Sequence, residues 1–343
     1  MGKSDRSRRS FLQATAGLAT VVAAGSTAGC LDSVPLIGGG GSLSAVPEDT
    51  NGVVYADIDA IREDEGVRTV TDAYLSARSE SEWYDGPEDY EEALEEFEDE
   101  SDLDPEGAHE IVAFAEYGGE YSLVDNEYTA VIVDADWDVD DVVDSIEEDN
   151  NYEFDEEEHS GQPFYEPDED YGSYIGVLGD DRMVIGQEDA VEDAIDADQG
   201  EDDGIEDELD GAYSNTRSAP VRYASIMPDP GEHDSVPESY GRGEDEVDLG
   251  VLEDVTTVAG AVYAEGDTRG VEVTMTAEDT DTAENLTDIV EGAISYAEEN
   301  TYDETAAALL GDLEVSQNGT DVTVSFERTI DELEDLIDEN MGQ

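Results

Sequence analysis

Acidic side chains dominate this chain and set the conditions under which it folds. The 343 residues include 96 aspartates and glutamates against 13 lysines and arginines, which gives a formal net charge of −83 at pH 7. In dilute salt, self-repulsion of this size opposes compaction. At about 1 M salt the Debye length falls to roughly 3 Å, and the repulsion is largely screened. We therefore expect a protein that is adapted to concentrated salt and folds there.

Intrinsic disorder is the alternative interpretation of so charged a chain. Against it, the sequence has 17 tyrosines and two tryptophans, and its apolar residues alternate or recur at helical spacing. A chain of roughly 300 residues is long enough to bury a core in one or two domains. Nucleic acid is not expected as a partner, because nine scattered arginines in residues 30–343 cannot neutralise a phosphate track. Unspecific binding of cations to the carboxylates is expected.

The first 29 residues have the layout of an export signal, with a basic start followed by an uncharged stretch over residues 11–29. Within it, Ser7-Arg8-Arg9-Ser10-Phe11-Leu12 resembles the twin-arginine motif, which an export receptor reads. A retained transmembrane anchor is the alternative, but a strong span has more large apolar residues than this alanine- and threonine-rich stretch. We predict a twin-arginine lipoprotein signal peptide at 1–29, with Arg8 and Arg9 as its export motif and the twin-arginine machinery as a partner.

Cys30 is the one cysteine of the chain, and it follows Thr27-Ala28-Gly29 at the end of the uncharged stretch. This arrangement resembles a lipobox, in which the cysteine becomes the mature N-terminus and carries lipid. A buried or redox cysteine is the alternative; a lone cysteine forms no internal disulfide. We predict lipid attachment at Cys30, which would hold the protein on the extracytoplasmic face of the membrane. Residues 30–47, with four glycines at 38–41, are predicted to be a lipidated N-terminus and flexible tether.

The remaining chain predicts an α+β fold with two similar modules, at residues 48–211 and 219–343. Each module opens on a strand, at 53–58 and 221–226, and then has the order strand, strand, helix, strand, strand, helix. We interpret the recurrence as a degenerate internal duplication; the alternative is one larger α+β domain without duplication. The predicted elements are strands 109–123, 128–134, 172–179, 182–187, 255–266, 270–279, 313–317 and 321–327, and helices 60–78, 87–100, 138–149, 188–197, 282–300, 303–310 and 329–340.

Alternating aspartates from Asp134 to Asp140 have the spacing of the first ligands in an EF-hand calcium loop. A true EF-hand also needs glycine at position six and glutamate at position twelve, where this chain has Val139 and Ser145. The preferred interpretation is a strand end followed by a helix cap, with acids placed favourably in the first helical turn. We therefore predict no metal site here.

No catalytic signature is present in the sequence. His109, His159 and His233 are far apart, and none has a second histidine or cysteine at metal-ligand spacing. Nucleophile-elbow, P-loop and dinucleotide-binding glycine motifs are all missing. Any two of the many carboxylates would serve as an acid–base pair, and the sequence selects none. We predict no catalytic residue, no cofactor and no enzymatic activity.

Two asparagines match the glycosylation acceptor pattern, which has meaning for an exported protein. They are Asn285, in Asn285-Leu286-Thr287, and Asn318, in Asn318-Gly319-Thr320. The alternative for Asn285 is a residue on a helix surface, and for Asn318 a hairpin turn residue. Both are kept as candidate modification sites.

The chain resembles uncharacterised haloarchaeal twin-arginine lipoproteins from Val46-Pro47-Glu48-Asp49-Thr50 through its closing helix. It also looks distantly like a family of exported proteins of unknown function that open on a Pro-Xaa-Asp strand and carry a segment similar to residues 179–195. The resemblance implies an exported, salt-adapted α+β protein with a duplicated module. It supplies no activity.

Taken together, these features predict a lipid-anchored cell-surface protein that acts in binding or envelope organisation and is not an enzyme. A solute-binding lipoprotein of a transporter is the alternative, although the alternating strand–helix pattern usual in two-lobed solute receptors is missing. A surface hydrolase is a third interpretation, supported by the exported setting alone. A deep cleft between lobes would favour the receptor, and a flat duplicated sheet would favour the surface module.

Overall fold

A computed structural model gives the architecture of the chain from residue 43 onward, with gaps. The predicted signal peptide with Arg8 and Arg9, the predicted lipid site Cys30, the glycines at 38–41 and His233 lie outside the described residues. The structure describes residues 43–79, 84, 86–116, 128–150, 152–169, 172–179, 181–201, 204–227, 239–240, 247–248, 250–301 and 304–341.

The described residues form strands and helices in an α+β arrangement, as predicted. The strands are β1 Gly52–Asp57, β2 Ala108–Ala115, β3 Thr129–Ala135, β4 Phe154–His159, β5 Gln162–Pro167, β6 Tyr174–Gly179, β7 Arg182–Gly186, β8 Val221–Ile226, β9 Ser239–Tyr240, β10 Val247–Asp248, β11 Val255–Glu265, β12 Thr268–Ala277, β13 Glu314–Asn318 and β14 Asp321–Thr329. The helices are α1 Ile58–Glu63, α2 Glu65–Ser79, α3 Tyr90–Ser101, α4 Val139–Asn150, α5 Glu188–Gln199, α6 Asp207–Ser214, α7 Thr280–Asn300, α8 Glu304–Gly311 and α9 Ile330–Met341.

Twelve of these strands form one antiparallel sheet, in the order β13-β14-β12-β11-β8-β1-β2-β3-β7-β6-β5-β4. The two-residue strands β9 and β10 pair separately. β1 and β8 pair at the centre, with Val53 opposite Ala224 and Tyr55 opposite Arg222. The N-terminal strands β1–β7 and the C-terminal strands β8 and β11–β14 are therefore joined in one continuous sheet.

Apolar side chains alternate between the two faces of the sheet, because successive residues in a strand point to opposite sides. On the side called face 1, Phe114 and Ile132 pack with α5, α6 and the 3-10 turn Leu43–Ala45. On face 2, Val133 and Met183 pack against α4. Face 2 of the C-terminal strands is covered by α7, whose Ala283 and Leu286 are fully buried against residues such as Val322.

Helices α2 and α9 tie the N-terminal and C-terminal strands together, since α2 follows β1 in the chain yet packs on α9. Beside this contact, Arg269 Nη2 of β12 donates to Asp64 Oδ1 at 2.9 Å, and both side chains are buried, at 6% and 7% exposure. Arg269 Nη1 also donates to the carbonyls of Gly266 and Thr268. Removing two charges from water is costly, so a pair like this is stable only with such added hydrogen bonds.

The single helix predicted at 60–78 is wrong, because the chain breaks at Asp64. Asp64 is in extended conformation, with φ −86° and ψ 111°. Its carboxylate accepts hydrogen bonds from the backbone N–H groups of Gly66 and Val67, at 2.6 and 3.2 Å, and so caps the start of α2. The same carboxylate holds Arg269, so the break also places the buried ion pair.

The hairpin β4–β5 was not predicted, and it inserts two strands between the first module's helix and its second pair of strands. Its turn is Ser160-Gly161, with φ of 46° and 81°, the left-handed conformation that two-residue hairpin turns require. The strand order predicted for residues 48–211 is corrected accordingly. The hairpin predicted across Asn318-Gly319 is confirmed, with Asn318 paired to Asp321 and Gly319 at φ 68°.

Candidate binding site at the centre of the sheet

The centre of the sheet carries an arginine stacked on two tyrosines. Arg222 of β8 lies opposite Tyr55 of β1, so both side chains are on face 1. The Arg222 guanidinium carbon is 4.3 Å from the ring centroid of Tyr213 and 5.2 Å from that of Tyr55. The two rings meet edge to face, with centroids 6.4 Å apart. Cation–π contacts of this kind hold the guanidinium in a fixed position.

Helix α6 delivers Tyr213 to this place. Leu209 and Tyr213 are one helical turn apart and almost fully buried, at 0% and 3% exposure, so they form the face of α6 that packs on the sheet. The start of α6 is acidic, with Asp207, Glu208 and Asp210, which the positive end of the helix dipole favours. The helix therefore presents Tyr213 to the sheet and Asp210 to solvent.

Next to Arg222 is a shallow concavity of about 360 Å³, here called the central pocket. It lies between the N-terminal segment, Ile205, α6 and β8. Its lining combines apolar walls with one basic, one acidic and several hydroxyl side chains: Leu43, Ser44, Ile205, Asp210, Tyr213, Ser214 and Arg222. A concave site with a few convergent polar groups is the usual form of a small-molecule site.

Among the described residues, no carboxylate forms an ion pair with Arg222. Five other described arginines form such pairs, namely Arg62, Arg182, Arg217, Arg269 and Arg328, whereas Arg68 and Arg78, like Arg222, contact tyrosine rings. Arg222 contacts aromatic rings instead, and its buried Nε atom has no hydrogen-bond partner. The positive charge of Arg222 is therefore not neutralised by direct contact.

Tyr213 also has an unsatisfied polar atom. Its hydroxyl oxygen is buried and makes no hydrogen bond. Burial is the main cause that raises the pKa of Tyr213 to about 12, against the opposing influence of Arg222. The hydroxyl consequently stays protonated at neutral pH and is able to donate. Buried polar groups in proteins are normally paired, so a donor without an acceptor beside a pocket needs an explanation.

A row of three carboxylates lies on face 1 beside the tyrosines. Asp57 of β1 is opposite Glu110 of β2, and Glu110 is opposite Asp134 of β3. Tyr55 donates its hydroxyl to Glu110 Oε1 at 3.0 Å. Burial, and then repulsion from Glu110, raise the pKa of Asp134. The pKa of Asp57 is also raised by burial, although the N–H of Ala60 opposes the shift.

Neither described histidine is arranged as a catalytic base. His109 Nδ1 is 3.0 Å from Asp59 Oδ2, and its Nε2 is 3.4 Å from Asp136 Oδ2. Burial alone would lower the pKa of His109, but these two carboxylates outweigh it and the net shift is upward. His159 is likewise held by two carboxylates, with Glu192 3.3 Å from Nδ1 and Asp196 3.0 Å from Nε2. With both ring nitrogens occupied, neither histidine is free to accept a substrate proton.

A second concavity lies at the β13 edge and is almost wholly polar. Its lining is Asp312, Glu314, Ser325, Glu327, Arg328 and Glu332. The basic residue here, Arg328, already contacts Asp312 and Glu332. Its charge is therefore met within the protein, in contrast to that of Arg222.

The aspartates from Asp134 to Asp140 do not gather into a site. Asp134 ends in the carboxylate row, while the carbonyl of Asp138 accepts from the N–H groups of Asp141 and Val142 at the start of α4. Across the residues with described positions, no three His, Cys, Asp or Glu side chains come together as metal ligands. The same part of the chain has no helix both long and apolar enough to cross a membrane.

Of the candidate modification sites, Asn285 is exposed on α7 and Asn318 is exposed in the β13–β14 turn. The central pocket was not predicted. The sequence indicated it only weakly, through an arginine in the strand Val221–Ile226 and a tyrosine in the helix 207–214. Arginines and tyrosines are also present in other strands and helices, so these two residues did not stand out. The pairing of β1 with β8 and the packing of α6 bring Arg222, Tyr55 and Tyr213 together.

Comparison with known proteins gives little further guidance. No protein-family model matches the chain, and no curated protein matches it. Among solved structures, crystal form III of TP0453 is similar with a TM-score of 0.46 and 6% identity, over 87% of this chain and 97% of that one. Crystal form I of TP0453 gives a TM-score of 0.42 and 8% identity, over 87% and 96%. Identities this low leave the function to be inferred from the residues of the chain itself.

Proposed function

We propose that the protein is a lipid-anchored, non-enzymatic binding module on the extracytoplasmic face of the membrane of a salt-adapted cell. The observation that carries the proposal is the central pocket, where an arginine without a carboxylate partner lies beside a concavity in a continuous sheet. Anchoring would be through lipid on Cys30 after twin-arginine export. Binding, and not catalysis, is proposed because the pocket lining includes no histidine or cysteine, and its Ser214 makes only a long contact of 3.5 Å with the exposed carboxylate of Asp210.

We further infer that the sheet arose by duplication of one α+β module. Counted outward from the centre, β1-β2-β3-β7-β6 and β8-β11-β12-β14-β13 have the same order in sequence and in the sheet, with α4 and α7 after the third strand and α5 and α9 after the last; α1, α2 and α3, between β1 and β2, have no described counterpart between β8 and β11. The leading strands share the pattern Val-Xaa-Tyr-Ala-Xaa-Ile, at 53–58 and 221–226. Hairpin β4–β5 is then an addition to the first copy. If the chain were one larger domain without duplication, the agreement in strand order and in the leading strand sequences would be coincidental.

A solute receptor that delivers its ligand to a transporter is the second candidate. Such receptors close two lobes around the solute, which needs a hinge. Here β1 and β8 pair directly, α2 packs on α9, and the buried Arg269–Asp64 pair joins the two sets of strands. These contacts favour a fixed binding platform over a closing receptor. A surface hydrolase finds no support in the two histidines described above.

The anchor is tested by the variant Cys30→Ser in the natural host, with Ser33→Ala as a control for an adjacent substitution. We expect Cys30→Ser to appear in the medium or to remain as an unprocessed precursor, and Ser33→Ala to stay in the membrane fraction. Fractionation with immunoblotting measures both location and size. A Cys30→Ser protein of mature size that stays in the membrane fraction would overturn the lipid anchor.

A further inference from the structure

We propose that the central pocket binds a small zwitterion of the amino-acid class, with its carboxylate on Arg222 and its ammonium group on Asp210. The inference rests on the proposed binding function and deepens it by naming the ligand chemistry. It follows from the charges, hydroxyl groups and walls of the pocket.

Arg222 supplies the site for a carboxylate. Its guanidinium carbon lies 4.3 Å from the ring centroid of Tyr213 and 5.2 Å from that of Tyr55, and hydrogen bonds to a ligand would come from the N–H groups at the edge of the guanidinium. The edge of a guanidinium matches the two oxygens of a carboxylate. No carboxylate of the described residues forms an ion pair with it; because its Nε is buried, a ligand in the pocket would be held by its terminal nitrogens.

Tyr213 supplies a second donor. The side chain is 3% exposed, it lines the pocket, and its hydroxyl has no partner in the protein. A ligand oxygen bound to Arg222 would accept from this hydroxyl and remove the cost of leaving a buried donor unpaired. The orphaned hydroxyl and the unpaired arginine thus have one common explanation.

Asp210 supplies the opposite charge on the same concavity. It is exposed on α6, and the hydroxyl of Ser214, one turn later, is 3.5 Å from its Oδ1. A cationic group on the ligand would be attracted to Asp210 while the carboxylate is held by Arg222. The pocket therefore offers both charges to a ligand that carries both.

The two opposite charges of the pocket decide between a zwitterion and a simple anion. A simple anion on Arg222 would leave Asp210 of the same concavity without a partner, and a simple cation would find carboxylates on many other parts of the chain. A zwitterion is oriented by both charges at short range, also in the molar salt where long-range repulsion is screened. Leu43 and Ile205 provide apolar walls, and about 360 Å³ is near the lower end of the usual range for ligand sites, which suits a small molecule.

The test is calorimetric titration of the full mature protein in molar potassium chloride, with L-alanine as the probe. Acetate and methylammonium serve as probes of each charge alone. We expect saturable binding of L-alanine and weakening by about 10-fold or more for acetate and for methylammonium, since each lacks one charge-assisted hydrogen bond. Acetate binding as tightly as L-alanine would show a plain anion site and overturn the proposal, as would undetectable L-alanine binding.

Variants locate the site. Arg222→Met and Asp210→Asn are each expected to weaken L-alanine binding by about 10-fold or more. Arg68→Met is the matched control, because Arg68 also stacks on a tyrosine, Tyr90, but lies on α2 away from the pocket. Asp210 is exposed, so Asp210→Asn keeps the test valid if Arg222→Met does not fold. Unchanged binding in Asp210→Asn, or an equal loss in Arg68→Met, would overturn the proposal. No detectable L-alanine binding to the unmodified protein, with normal membrane anchoring, would overturn this inference and leave the anchor untouched.

Discussion

The N-terminal and C-terminal parts of the sheet are stabilised differently. In β3, Ala130, Ile132 and Val133 are at most 4% exposed, because helices cover both faces there. In β12 and β14, helix α7 covers face 2, whereas the face 1 side chains are polar and half-buried, as with Glu272 and Thr274. One continuous sheet thus has a double-sided apolar core in its N-terminal part and a single-sided one in its C-terminal part.

Cross-strand polar pairs take the place of apolar packing on face 1 of the C-terminal part. The hydroxyls of Thr274 and Thr323 are 3.0 Å apart. Tyr263 donates to Glu327 at 2.6 Å, and the guanidinium of Arg217 lies 3.6 Å above the Tyr263 ring. Cross-strand pairs contribute about 0.2–1 kcal/mol each, less than burial of a large apolar side chain. The C-terminal part should therefore be the less stable of the two.

Dilution of salt is expected to have the largest effect. Below roughly molar salt, screening fails and the whole chain unfolds, which circular dichroism would detect. Before complete unfolding, hydrogen exchange should show that amides of β12 and β14 lose protection ahead of those of β3 and β7, since they bury less apolar surface. A protein that stays folded in dilute buffer would contradict the salt adaptation, and simultaneous loss of protection would contradict the difference between the two parts.

The buried Arg269–Asp64 ion pair, which connects the two parts of the sheet, is tested by Arg269→Met. This variant leaves Asp64 buried without its partner, which should cost about 3–5 kcal/mol of unfolding free energy. Arg217→Met is the matched control, because its ion pair with Glu265 is exposed at 36% and 75% and should contribute less than about 1 kcal/mol. Urea unfolding at fixed salt measures both. Equal midpoints for the two variants would show that the Arg269–Asp64 pair does not join the halves.

One phenylalanine in each part compares their cores directly. Phe114 is 1% exposed among the face 1 residues of the N-terminal part, and Phe114→Ala should cost about 3–5 kcal/mol. Phe326 is half-buried on β14, so Phe326→Ala should cost less than half as much. The two variants remove the same atoms, and urea unfolding gives the difference. If Phe326→Ala costs as much as Phe114→Ala, the C-terminal core is as tightly packed as the N-terminal one.

Sequence patterns predicted most of the elements, because alternation and helical spacing are local. The strand at 221–226 has the predicted bounds, and the helix predicted at 138–149 is displaced by one residue. The break at Asp64 was missed because its cause is distant: the carboxylate that caps α2 is also held by Arg269, far along the chain. The β4–β5 hairpin was missed because its strand Phe154–His159 is an acidic edge strand without apolar alternation.

The central pocket could not be predicted for a related reason. Tyr55, Tyr213 and Arg222 are brought together by the antiparallel pairing of β1 with β8 and by the packing of α6. The local sequence around these residues does not indicate which strand pairs with which, or which face of a helix packs on the sheet. An arginine in a strand is also an ordinary amphipathic side chain with an apolar stem and a charged head, so its presence alone does not indicate a binding site.

The smallest predicted effect concerns the carboxylate row, which distinguishes face 1 of the N-terminal strands from the threonines of β12 and β14. The pKa of Asp134 is raised by burial and by Glu110, so the folded state holds the Asp134 proton more tightly than the unfolded chain does. Stability should then be highest while Asp134 is protonated, and should fall as the pH rises from its ordinary pKa through the raised one. Asp134→Asn removes the like-charge pair with Glu110 and should stabilise the protein at neutral pH by about 0.2–1 kcal/mol.

The control for Asp134→Asn is Asp144→Asn on the exposed side of α4, which removes the same charge without a cross-strand partner. Thermal unfolding of both variants, measured at acidic and at neutral pH, separates local repulsion from the general effect of lowering the net charge. Because Asp134 faces Arg182 as well as Glu110, some attraction is lost with the repulsion. A gain in stability that is equal for the two variants would assign the effect to net charge. A gain confined to Asp134→Asn, and vanishing at acidic pH, would assign it to the carboxylate row.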